Sequence, residues 1–157
     1  MWWTLARPAE VTEAEWTEFD LDNALWTIPS TRMKARREHV IPLPFQAVNM
    51  LRTLQGLTGH RQHLFPGRDN PKGPMTSHSL RQLLKILGWS GIYSPHATRT
   101  TGSTRLNEMG YRPDAIEAQL AHADTNNVRR TYHHATYLDE RKVMMQDWAD
   151  KLEGWVG

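Results

Sequence analysis

The sequence predicts a mainly α-helical fold with a small antiparallel β-sheet, and three observations predict it. Between about Glu15 and Leu43, short aromatic and β-branched runs alternate with turn residues. From Pro44 onward the apolar residues recur at helical spacing. Pro, Thr, Ser and Gly fall where those helical segments start and stop.

The elements follow in order. "MWWTLARPAEV" reads as the last turn of a helix whose beginning is absent. "AEWTEFDLDNALWTIPS" holds two short strand-like runs around the turn-rich "DLDNA", and "REHVIPL" alternates in the same way. Two or three antiparallel strands are therefore expected, with "TRMKAR" as a hairpin tip or loop. "PFQAVNMLRTLQGL" is a helix with Pro44 at its first position and Val48, Leu51 and Leu54 on one face. "TGHRQHLFPGRDNPKGPM" is a loop by its Gly and Pro content. A second helix starts at Thr76 or Ser77 and stops near Gly88; a third, opened by "SPHATR", closes at Gly110. "RPDAIEAQLAH" makes a short fourth helix entered through Pro113 and Asp114, and "VRRTYHHATY" a fifth, capped by "ADTNN". The last helix, "LDERKVMMQDWADKLEGWV", places Leu138, Met145, Trp148, Leu152 and Trp155 near one face.

A chain of 157 residues fits one domain with a real core, and seven tryptophans add bulk to a modest 39% apolar content. No run of about 18 apolar residues predicts a membrane span. The start lacks the basic-then-apolar order of a secretory signal. Without cysteine there is neither a disulfide framework nor a thiolate metal site. A cytoplasmic protein is expected. Net charge is only +2, yet the pI is about 9.1 and the cations cluster. "RMKARREH" puts four Lys or Arg in eight residues, and "NNVRR" repeats the theme near the far end. Such runs suit either a solvated face or a polyanionic partner.

Four places offer groups suited to a phosphate. Arg7 has Glu10 about one turn away, a carboxylate able to fix its planar fork. Lys34 sits at the predicted hairpin tip. His96 and Arg99 in "HATR" lie one turn apart at a helix start, so both can address one anion. His122 in "LAH" precedes Tyr132 by ten residues. Each pair alone is commonplace on protein surfaces; the ordered set is not.

That set resembles the catalytic domain of the tyrosine recombinases, in particular the integrases of prophages and genomic islands. The resemblance runs from Arg7 to roughly Trp148, through "LARPAEV", "DLDNALWTIPSTRMKARREHVIPL", "SPHATRTTGSTRLNEMGY", "QLAHADTNNVRRTY" and "LDERKVMMQDWADKL". It implies that residues 1–157 are an integrase catalytic domain, cut down by loss of the upstream DNA-clamping domain and of its own first helix. Two positions depart from the pattern: Ala9 stands where glycine is common, and "LAH" replaces the more widespread Leu-Gly-His.

The resemblance implies that Arg7, Lys34, His96, Arg99, His122 and Tyr132 form the active site, with Glu10 in support. Tyr132 would attack the phosphorus and store the bond as a 3′-phosphotyrosine, so that neither ATP nor water is needed. Arg7 and Arg99 would clamp the nonbridging oxygens. Lys34 would protonate the leaving 5′-oxygen, His96 would move a proton with Tyr132, and His122 would donate to the phosphate. Arg36, Arg37, Arg129 and Arg130 would neutralise DNA backbone phosphates rather than read bases. The implied partners are double-stranded DNA attachment sites, further copies of the chain in a tetramer docked through the last helix, and accessory DNA-bending proteins. The implied location is the bacterial nucleoid, and no cofactor or metal is expected.

Rival readings weigh less. A metal on His122, His133 and His134 is disfavoured, because adjacent helical histidines point roughly 100° apart. His39, His60, His63 and His78 read as unremarkable, and Tyr93 and Tyr111 read as core or loop aromatics. Tyr137 follows Tyr132 by five residues and is turned by roughly 140°, which suits packing. A catalytically silent DNA-binding remnant and a type IB topoisomerase remain as alternatives.

Overall fold

The computed structural model of the chain describes residues 1–121 and 137–156. Its architecture is the expected one, helices around a three-stranded antiparallel sheet in the order β1-β2-β3. The strands are β1 (Phe19–Asp20), β2 (Leu25–Ile28) and β3 (His39–Pro42). Trp26 of β2 faces Phe19 on one side and Ile41 on the other. The β1–β2 turn closes on the Asp20 carboxylate, which accepts from the Asn23 backbone and side-chain amides at 3.0 and 2.7 Å.

Six described helices surround this sheet: α1 (Pro8–Thr12), α2 (Phe45–Thr58), α3 (Ser77–Ile86), α4 (Ala97–Glu108), α5 (Pro113–Leu120) and α6 (Leu138–Val156). Their ends obey local chemistry. The Thr76 hydroxyl accepts from the Ser79 amide at 3.1 Å, which starts α3. Pro113 occupies the first turn of α5, where its missing N–H costs nothing. Gly88 and Gly110 take positive φ just past α3 and α4. Pro44 caps α2 from outside rather than forming its first residue. The expected fifth helix at "VRRTYHHATY" lies, but for Tyr137, outside the described residues.

Two apolar cores result. The first gathers Trp26, Ile28, Ile41, Leu43, Val48 and Leu51 between sheet and α2. The second gathers Leu5, Leu106, Ile116, Leu120, Met145 and Trp148 between α4, α5 and α6. Consecutive residues divide between them: Leu5 joins the second core and Ala6 the first, while Leu120 joins the second and Ala121 packs against the first. The seam between the cores therefore passes through two short stretches of backbone. Close approach there depends on Gly102, since a Cβ at that position would fall 2.5 Å from Leu5 Cδ2.

The face of α6 differs from expectation. Met144, Met145, Trp148 and Ala149 are buried, and so is Arg141. Trp155 is half exposed, set edge-on to Trp148 with its ring beneath the Arg105 guanidinium. Among the described residues no helix is long and apolar enough to cross a membrane.

Candidate active site

The seam collects the two arginines. Glu10 is buried, and its carboxylate grips Arg7 twice: Oε2 accepts from the Arg7 backbone N–H at 2.7 Å, and Oε1 from Nη1 at 2.8 Å. The first contact satisfies an orphan amide at the start of α1, so one carboxylate caps the helix and fixes the fork. Arg7 Nη2 then donates to the carbonyl of Ala121 at 3.3 Å.

Arg99 is buried on α4 and bonds only to carbonyls among the described residues. Nη1 donates to Leu5 and Nη2 to Leu120, each at 2.5 Å. Leu120 and Ala121 end α5, where carbonyls lack helical partners and the helix dipole is negative. A helix end thus receives both guanidinium groups on successive carbonyls. Leu5 and Ala121 adopt left-handed backbone, φ 53° and 48°, a conformation costly for residues bearing a Cβ. Such strain persists where the surroundings over-determine it.

These acceptors hold the forks without discharging them. Burial, and next the neighbouring Arg7 charge, pull the Arg99 pKa from 12.5 down to about 10. Arg99 therefore stays cationic near neutral pH. A preorganised cation at the wall of a cleft suits an anion, and of the pair Arg99 lines one here. That cleft, about 360 Å³, is lined by His96, Arg99, Thr100, Ser103, Thr104 and Leu120. His96 is exposed at the N-cap of α4.

The remaining nominated residues divide in two. Lys34, Arg36 and Arg37 are exposed on the β2–β3 connection, and no contact joins them to the arginine pair. Their hairpin is nevertheless tied to the site. Arg32, just before Lys34, donates from Nε and Nη2 to Glu18 at 2.7 Å each, and from Nη2 to the Glu10 carbonyl at 3.3 Å. His122, Arg129, Arg130 and Tyr132 lie outside the described residues, as do His133 and His134. Tyr137 is buried, its hydroxyl accepting from Arg112 at 3.3 Å and its ring lying under the same guanidinium.

Three buried polar residues were not singled out from the sequence. His39 Nε2 donates to the Gln119 carbonyl at 3.1 Å, and Arg141 Nε donates to Gln119 Oε1 at 2.9 Å. The available signal was position: Arg141 falls on the helical face of Met144, Met145 and Trp148, and Gln119 on that of Ala115 and Ile116. A polar residue in an apolar stripe marks a buried bond.

The fold carries an arginine-bearing seam, and comparison with known proteins gives its family. The chain belongs to the phage integrase family, whose model matches residues 1–138. It is 45% identical over 150 residues to prophage integrase IntA of Escherichia coli strain K12, covering 96% of this chain and 36% of that protein. It is 39% identical over 152 residues to the integrase of Shigella phage Sf6, covering 96% of this chain and 40% of that protein. The chain thus spans well under half the length of these relatives. Among solved structures it is similar to the integrase of mycobacterium phage Brujita, with a TM-score of 0.68 at 20% identity over 92% of this chain and 47% of that one. The Tn1549 transposon integrase, in complex with circular intermediate DNA, gives 0.57 at 20% identity over 91% and 54%.

Proposed function

We propose that the chain is the catalytic portion of a tyrosine site-specific recombinase that integrates or excises a prophage or genomic island. The observation carrying this reading is the arginine pair, two cations fixed by backbone carbonyls on the seam in a chain of the integrase family. In the reaction the Tyr132 oxygen attacks phosphorus in line and the bond to the 5′-oxygen breaks. Lys34, exposed on a hairpin that Arg32 ties to the Glu10 carbonyl, delivers a proton to that oxygen. Arg7 and Arg99 hold the nonbridging oxygens as charge builds, His122 adds a donor, and His96 takes the tyrosyl proton. Attack by a second strand's 5′-hydroxyl reverses the step and rejoins the DNA.

The partner is double-stranded DNA at attachment sites, with Arg36, Arg37, Arg129 and Arg130 on its backbone. Exchange between two duplexes requires several copies, and α6 is the surface assigned to their docking; accessory DNA-bending proteins would shape the assembly. On this reading the chain acts in the bacterial cytoplasm, at the nucleoid. Family membership favours this reading over a type IB topoisomerase. The test is incubation with nicked attachment-site DNA whose cleaved end diffuses away: a trapped protein–DNA adduct supports the reading. A chain that binds the DNA without forming one is the silent remnant.

A further inference from the structure

The chemistry above leaves one largely buried ion pair unused. The side chains of Arg32 and Glu18 are 15% and 6% exposed, and Arg32 Nη2 meets Glu18 Oε2 at 2.7 Å. Glu18 Oε1 accepts from Arg32 Nε, also at 2.7 Å, and Oε2 accepts from the Trp26 indole N–H at 2.9 Å. Arg32 Nη2 reaches on to the Glu10 carbonyl at 3.3 Å. The remaining nitrogen, Nη1, is buried without a hydrogen bond among the described residues and stands 3.9 Å from Glu13 Oε2. A buried pair with an unsatisfied donor is a poor source of stability. What it fixes is geometry.

Two parts of the proposed site meet at this guanidinium. On one side stands Glu10, whose carboxylate holds Arg7. On the other is the backbone that carries Lys34. Arg32 ends a short 3-10 turn, Ser30–Arg32, and Met33 after it is 5% exposed within the first core. The Arg36 amide then donates to the Met33 carbonyl at 2.9 Å, closing a tight turn over Lys34 and Ala35 with Arg36 at φ 51°. The exposed Lys34 side chain therefore leaves from backbone rooted by its two preceding residues. We infer that Arg32, held by Glu18, is a positioning residue for the proton donor, setting where Lys34 stands relative to a phosphate on Arg7. The inference rests on the reading of Lys34 as the general acid. Misplacing a reacting group by about 1 Å can cost on the order of 10²-fold. A single planar fork that spans the support of the clamp and the root of the acid guards against that.

The test times adduct formation in a single turnover on two nicked attachment-site DNAs, one natural and one with sulfur replacing the bridging 5′-oxygen. In both, the tyrosyl oxygen bonds to phosphorus while the bond to the 5′ atom breaks, and that atom keeps the electron pair. A leaving oxygen needs a proton, because water, and an alcohol like it, ionises only near about 15.7. A leaving sulfur does not, since a thiol ionises near about 8.5. Arg32→Lys keeps a cation for Glu18, but its single ammonium cannot reproduce the fork that also holds the Glu10 carbonyl. It is expected to be roughly 10- to 100-fold slower on natural DNA and within about threefold of the unsubstituted chain on the sulfur DNA. Arg32→Met combined with Glu18→Gln leaves no unpaired buried charge and keeps an acceptor for Trp26, and it should show the same split. Arg99→Ala should slow both DNAs alike, because the clamp serves either leaving group. Equal losses on the two DNAs in both Arg32 variants, or no loss on natural DNA, would overturn the positioning role. Lys34→Met reports on the reading beneath it. A loss confined to natural DNA in Lys34→Met, beside equal losses in the Arg32 variants, sinks the role of Arg32 alone. Equal losses in Lys34→Met remove Lys34 as the acid and the role of Arg32 with it. An unsubstituted chain that forms no adduct with either DNA overturns the recombinase reading and this inference together.

Discussion

At the scale of single residues, Ala121 carries the most instructive conflict. Its carbonyl must turn toward Arg7 at the end of α5, and the backbone meets that demand with φ 48° despite a Cβ. The site therefore suits glycine, which explains physically why Leu-Gly-His is the commoner form of the motif. Ala121→Gly should raise unfolding free energy by about 0.5–1 kcal/mol in denaturant titrations, the left-handed strain relieved minus the extra chain entropy of glycine. Removing a clamp donor acts on the barrier instead. Arg99→Ala should slow single-turnover adduct formation by about 10²–10³-fold, or about 2.7–4 kcal/mol. Much at this scale was legible, because the Arg7–Glu10 contact follows from a three-residue spacing. The partners of Arg99 were not, since backbone carbonyls have no sequence signature. Nor was the burial of His39, whose single aromatic letter reads alike in a core and on a surface.

At the scale of elements, Gly102 decides how α4 meets the amino-terminal arm. A Cβ there would overlap both δ carbons of Leu5, at 2.5 and 2.7 Å, in a fully buried contact. Gly102→Ala should cost about 1–3 kcal/mol by overpacking. It should also depress adduct formation, because Leu5 supplies a carbonyl to Arg99. Thermal denaturation and the adduct assay read the two effects separately. The strands were legible because Trp26 and Ile28 alternate with Leu25 and Thr27 in depth. The exposure of α3 was not. Its pattern is amphipathic, yet Leu83 and Ile86 remain exposed and none of its residues is fully buried among the described contacts. Periodicity shows that a helix has an apolar face; it does not supply the surface that covers it.

For the molecule as a whole, two cores meet along a seam, and the arginine pair of the proposed chemistry is held there. The same seam predicts a divergence between stability and function at high pH. Burial pulls the pKa of Arg99 and Arg141 from 12.5 to about 10. Between those values the unfolded chain keeps protons that the native chain has lost, so these groups add stability as pH rises. Their penalty is present below about pH 10 and relieved above it. The clamp runs the other way, since a neutral Arg99 no longer attracts phosphate. Adduct formation should therefore fall as pH passes about 10 while circular dichroism still reports a folded chain. Whole-molecule organisation was legible as a fold class and an ordered motif set. The seam was not, because which neighbour of a consecutive pair enters which core depends on tertiary packing.

The central claim is that Tyr132 forms the covalent bond. The direct measurement is a denaturing gel of the chain with suicide attachment-site DNA, run beside Tyr132→Phe and Tyr137→Phe, with peptide mapping of the adduct. The account predicts an adduct on the Tyr132 peptide, lost in Tyr132→Phe. It predicts that Tyr137→Phe keeps the adduct, and that loss of the Arg112 bond lowers stability by about 1 kcal/mol. An adduct that survives Tyr132→Phe, or maps to Tyr137, would contradict it.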